Sequence, residues 1–70
     1  MNIKEYRYQV ARSGLSNRQI AKLLGIGIET YYKKLNGKSA WRLVDIQRIR
    51  EILELSDDKL RQIFFEKEVS

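Results

Sequence analysis

Glu29, Lys33 and Asn36 are spaced four and three residues apart, so on a helix a carboxylate, an ammonium and a carboxamide would share one face. Such a face offers hydrogen bonds and charge rather than bond-breaking chemistry. Further donors flank it, with Asn17 and Arg18 on one side and Lys38, Ser39 and Arg42 on the other. The chain contains neither cysteine nor histidine, which removes disulfides, thiol nucleophiles, imidazole bases and the usual zinc ligands together. Its acids and lysines form no recognisable nucleophile–base pair or ligand cluster. No catalytic or metal-binding residue is therefore assigned, and neither an enzyme nor a cofactor is expected. What remains is non-covalent recognition.

The charge distribution narrows the partner. Residues 1–38 hold eight basic residues (Lys4, Arg7, Arg12, Arg18, Lys22, Lys33, Lys34, Lys38) against two acids (Glu5, Glu29), a charge of +6. The other 32 residues hold six basic and seven acidic side chains, a charge of −1. A featureless solvated surface would mix the signs more evenly. The split points to one half that meets a polyanion and another with a different task.

The elements that must position these groups read as helices throughout. Strand-like alternation is missing, there is no proline, and only four glycines occur. Ile3, Tyr6, Val10 and Ala11 follow helical spacing and predict a helix over about 3–12, ending near Ser13-Gly14. Ser16-Asn17-Arg18-Gln19 has the form of a capping box and opens a second helix, 16–24, with Ile20, Ala21, Leu23 and Leu24 as its apolar set. After Gly25-Ile26-Gly27 a third helix runs from 28 to 35 and closes at Asn36-Gly37. Ile46, Ile49, Ile52 and Leu53 predict a fourth over 43–53. Ser56 followed by Asp57-Asp58 caps a fifth, 57–65, whose apolar face holds Leu60, Ile63 and Phe64. Residues 66–70 are expected to fray. The result is a single all-α domain over 1–65. No apolar run is long enough for a signal peptide or a membrane span, so a soluble cytoplasmic protein without a membrane partner is expected. No small-molecule substrate is evident either.

The second and third helices, joined by the short turn at Gly25-Ile26-Gly27, form a tight bihelical unit. Ala21 is small where the two helices cross, and Ile20, Leu24, Ile26, Tyr31 and Leu35 can form its core. The stretch LSNRQIAKLLGIGIETYYKKLNGKS resembles the helix-turn-helix of the phage repressor and Cro family, the lambda repressor-like DNA-binding domains. The resemblance covers about residues 3–56. It rests on a leucine before the N-cap, the capping serine, the Ile20-Ala21 pair, Gly25, the Asn36-Gly37-Lys38 exit, and a fourth helix ending in Ile-Leu-Glu-Leu-Ser. Three positions depart from the family pattern. Gly27 stands where serine or threonine often caps the recognition helix, Lys34 where an aliphatic residue is common, and Glu54 in place of a usual glycine or asparagine. The second departure predicts that Leu35 supplies the buried side chain instead.

The resemblance implies a compact five-helix fold that binds a double-stranded DNA operator as a homodimer, with the third helix in the major groove. It also implies a transcriptional regulator, a repressor or Cro-like switch of phage or prophage origin. Lys33 would donate to guanine O6 and N7, and Glu29 would accept from cytosine N4. The alternative for these two is a solvated ion pair of ~0.3 kcal/mol. Ile28 and Tyr32 would touch a thymine methyl and a phosphate or base edge, or else complete an apolar stripe with Tyr31 and Leu35. Phosphates would be held by Asn17, Arg18, Asn36, Lys38, Ser39 and Arg42, although Arg18 also reads as a plain surface charge. Trp41 anchors the following loop to the core in this reading. Phe65 is either a dimer contact or a plug beneath the tail. A second class of function is a protein-interaction module on the same scaffold, for instance an antitoxin or an anti-repressor target.

Overall fold

The computed structural model describes residues 1–65, so the expectation for residues 66–70 lies outside the described residues. Five helices follow one another: α1 (Ile3–Ser13), α2 (Asn17–Leu24), α3 (Ile28–Leu35), α4 (Leu43–Ile52) and α5 (Asp57–Phe64). Each end has a local cause. In the capping box, Ser16 Oγ accepts from the Gln19 amide at 3.1 Å while Gln19 Oε1 accepts from the Ser16 amide at 2.8 Å. Two of the donors left open at the start of a helix are satisfied in this way. Ser56 caps α5 in the same manner through the Lys59 amide. Asn2, unremarked in the sequence, caps α1 through the Glu5 amide.

Helices α2, α3 and α4 all end in one arrangement. At the end of α3, the Lys38 amide donates to Lys33 O at 2.9 Å and the Gly37 amide to Lys34 O at 3.3 Å, with Gly37 at φ 77°. This double bond pattern needs a left-handed residue just past the helix, for which glycine carries no steric penalty. At the end of α4 the same pattern, Leu55 to Arg50 O and Glu54 to Glu51 O, is built with Glu54 at φ 52°. The departure noted in the sequence is therefore a non-glycine residue held in the left-handed region.

The core is formed by Tyr6, Ile20, Ala21, Leu24, Tyr31, Ile49, Leu53, Leu55 and Ile63, drawn from all five helices and the α4–α5 turn. Burying an aliphatic or aromatic side chain of this size contributes about 1.5–3 kcal/mol, so this cluster supplies the main driving force. Three expectations are corrected. Leu23, from the apolar set of α2, is 58% exposed. Ala11 is exposed and Gln9 takes the inward place on α1, its amide donating to Glu5 and its carbonyl accepting from Arg12. On α3 the fully inward partner of Tyr31 is Lys34, 6% exposed, while Leu35 is only half-buried.

Connections across the fold fix the helices against one another. The Asn2 amide donates to Ile63 O at 2.7 Å, and Lys59 pairs with Glu5 at 2.7 Å, so α5 lies against α1. The Lys59 ammonium and the Gln9 amide hold the Glu5 carboxyl below its ordinary range. Arg48 of α4 donates to Leu24 O at 3.0 Å and so satisfies a carbonyl at the end of α2. The result is a helix-turn-helix clamped from behind by α4.

Candidate nucleic-acid interface

Helix α3 divides cleanly into two sides. Tyr31 and Lys34 face the interior, while Glu29, Tyr32 and Lys33 face solvent. Of the two positions with open readings, Tyr32 is 44% exposed and available, and Ile28 is half-buried and packed against the core. Tyr32 also meets the edge of the Tyr31 ring, with centroids 5.6 Å apart, which braces it without covering it. Among the described residues no ion pair joins Glu29 to Lys33. The N-cap of α3, Gly27, makes no side-chain cap, and the space around its Cα is open.

The side chains expected at phosphates fall on both sides of α3. Arg18, Asn36 and Lys38 are exposed and Ser39 is half-buried. Asn17 is half-buried, because its Oδ1 accepts a hydrogen bond from Tyr31 Oη at 2.8 Å. Arg42 is engaged in the protein's own frame: Nε and Nη2 donate to Asp45 at 3.2 and 3.1 Å, and its backbone amide donates to Asp45 Oδ2 at 3.1 Å. The residue is thus the N-cap of α4, yet its side chain stays 62% exposed and keeps donors free.

Sequence reasoning missed the group that holds the α3–α4 loop in place. Lys34 Nζ donates to Ala40 O at 2.7 Å and pairs with Asp45 at 3.1 Å, and it lies 5.8 Å from the centre of the Trp41 ring. Asp45 is fully buried and receives both Lys34 and Arg42. Burial by itself would raise its pKa. The hydrogen bonds from Arg42 and Lys34 outweigh that and hold the carboxyl at about 2. The one signal in the sequence was Lys34 in an aliphatic slot, which reads as a surface residue until its carboxylate is known.

Trp41 does anchor the loop. It packs on Tyr6, Tyr31 and Phe64, with ring centroids 6.3, 6.4 and 5.6 Å away, and its Nε1 is buried without a hydrogen-bond partner among the described residues. Phe64 takes the inward place on α5, while Phe65 is 59% exposed and rests tilted against Phe64.

Five helices, with the second and third joined by a short turn and presenting a polar, cation-flanked face, define a small helical domain of DNA-binding-like build. The family model of the BetR domain matches residues 2–68, nearly the whole chain, and the chain belongs to that family. The match supports a regulatory helical domain, and the narrower phage repressor and Cro assignment does not follow from it. No curated protein and no solved structure matches the chain. Among the described residues no helix is long and apolar enough to cross a membrane.

Proposed function

We propose that the chain is a sequence-specific double-stranded DNA-binding transcriptional regulator that places α3 in the major groove and binds its operator as a homodimer. It acts as a repressor or Cro-like switch of phage or prophage type in the bacterial cytoplasm, and it is not an enzyme. One observation carries this reading: the outward side of α3 is uncovered, with Glu29, Tyr32 and Lys33 exposed, and the cations of the bihelical unit and its exit, Arg18 and Lys22 on α2, Lys33 on α3 and Lys38 just past it, are exposed without an acidic partner among the described residues. Uncompensated cations repel one another, and a phosphate backbone relieves that repulsion.

In this reading Lys33 and Glu29 read base edges, Tyr32 flanks them, and the exposed part of Ile28 meets a thymine methyl. Asn17, Arg18, Asn36, Lys38, Ser39 and the unused donors of Arg42 hold phosphates and fix the register. Phe65, apolar and exposed, serves the contact between two copies. A single recognition helix spans few base pairs, so a symmetric pair supplies the remaining specificity.

The test is selection of bound duplexes from a random pool, with light scattering to give the mass of the complex. A two-fold symmetric site carrying two chains is expected, with affinity that falls steeply with salt. Lys38→Ala should weaken all duplexes alike and lower the salt slope by about 1. A monomer with no enriched motif would overturn the reading in favour of a protein-interaction module.

A further inference from the structure

Tyr6, Tyr31 and Asn17 come from α1, α3 and α2, and they meet at one point. Tyr6 Oη and Tyr31 Oη are 2.7 Å apart, and Tyr31 Oη is 2.8 Å from Asn17 Oδ1. Both rings are buried, 1% and 0% exposed, and burial raises both phenol pKa values, so both hydroxyls keep their protons. Each phenol has one proton to place, and buried donors left without an acceptor are costly.

Counting protons fixes the direction. If Asn17 Oδ1 faces inward, Tyr6 donates to Tyr31 and Tyr31 donates to Asn17, and both protons are used. If the amide is reversed, Nδ2 donates to Tyr31 and Tyr31 donates to Tyr6. The Tyr6 proton then has no acceptor among the described residues, in a fully buried position. Oxygen and nitrogen of an amide are told apart by this kind of network accounting. The satisfied arrangement turns Nδ2, with its two donors, away from the core at the start of α2.

We propose that Tyr6 and Tyr31 act as positioning residues that lock the Asn17 carboxamide with its donor side outward, so that this point of the surface accepts a phosphate oxygen and refuses a donor. The inference rests on the DNA-binding reading above and names the chemistry at one of its contacts. It also gives the inward side of the recognition helix a share in the phosphate contact: Tyr31 sits next to Tyr32, so seating α3 and orienting Asn17 are one event.

Binding of a selected duplex is measured for wild type, Asn17→Ala, Tyr31→Phe, the double variant and Asn17→Asp. Tyr31→Phe deletes one oxygen and should weaken binding about fivefold, the equivalent of one hydrogen bond. The double variant should be no weaker than Asn17→Ala alone, because residues acting through one contact are not additive. Asn17→Asp replaces the donor by a negative charge and should weaken binding more than tenfold, an order-of-magnitude expectation. The salt slope should be unchanged in Tyr31→Phe and Asn17→Ala, since neither removes a charge. Additive losses, or no loss in Tyr31→Phe, would overturn the proposal.

A second measurement needs no DNA. Both Asn17 side-chain amide protons should exchange freely with solvent in the free wild-type protein, and protection of one of them would show the reversed amide and overturn the proposal. If wild type binds no duplex while those protons exchange freely, the DNA reading and the phosphate assignment fall and the amide orientation alone survives.

Discussion

The cations of α2, α3 and the following loop differ from those of α4 and α5 in what they face. Arg18, Lys22, Lys33 and Lys38 meet no carboxylate among the described residues. In the other half Arg42 pairs with Asp45, Arg50 with Asp57, Lys59 with Glu5 and Arg61 with Asp58, while Arg48 donates to the Leu24 carbonyl. Residues 1–38 hold eight basic side chains and residues 39–70 six, against two and seven acids, so the imbalance of +6 against −1 reflects chiefly where the acids are. In the C-terminal half three acids sit at helix starts, where Asp45, Asp57 and Asp58 satisfy amides or the helix dipole and meet basic side chains, while Glu51 and Glu54 lie at the end of α4. Charge in that half serves architecture. The exposed cations of α2, α3 and the loop have no such task within the described residues.

Lys34 is the exception that joins the two regions, since it belongs to the basic half but spends its charge on Asp45. That junction gives the largest expected effect. Asp45→Asn leaves Lys34 buried without its counter-charge and should cost about 3 kcal/mol or more in chemical denaturation. A loss under about 1 kcal/mol would mean that the pair is not the clamp described. The same group sets an acid limit. Its folded pKa of about 2 lies below the ordinary 3.8, so its contribution is fully present above about pH 4 and disappears as pH falls toward 2. Stability of wild type and Asp45→Asn should therefore converge over that window, apart from a Glu5 contribution common to both.

Removing an uncompensated cation should do the opposite. Lys33→Ala should leave the melting temperature nearly unchanged while discrimination at one base pair drops by about 1–3 kcal/mol, read from duplex competition. If Lys33→Ala instead destabilises the fold and leaves base preference intact, the contrast between the two regions fails. A smaller effect is expected at Glu54, the left-handed residue after α4, where the equivalent position after α3 is Gly37. Glu54→Gly should stabilise the protein by about 1 kcal/mol, with duplex affinity unaltered. The smallest belongs to the exposed pair Arg50–Asp57, 50% and 72% exposed, where Asp57→Asn should change stability by no more than about 0.5 kcal/mol. A larger loss there would show that the paired half depends on its surface bridges as much as on the buried one.

The helices were legible because their ends are written locally. Ser16 and Gln19 are three residues apart, Gly25 sits one position past α2 and Gly37 two positions past α3, so side chain and backbone find each other without help from the fold. The outward side of α3 was legible for the same reason: residues four apart share a face whatever surrounds the helix. Gln9 was not singled out and Leu35 was preferred to Lys34 because polar side chains in an amphipathic pattern default to the surface. Each is buried only by virtue of partners, and those of Lys34 lie on the loop and helix that follow.

The sequence by itself therefore determined the five helices, their order and the separation of a cationic half from a mixed one, since propensity, capping and charge counts depend on near neighbours alone. The tertiary structure decided which polar groups turn inward. Lys34 meets Asp45 eleven positions away, and Tyr6 meets Tyr31 and Tyr31 meets Asn17 across twenty-five and fourteen. Hydrogen bonds over such separations exist only once hydrophobic packing has brought the helices together, and the accounting of buried protons and charges can be closed only then.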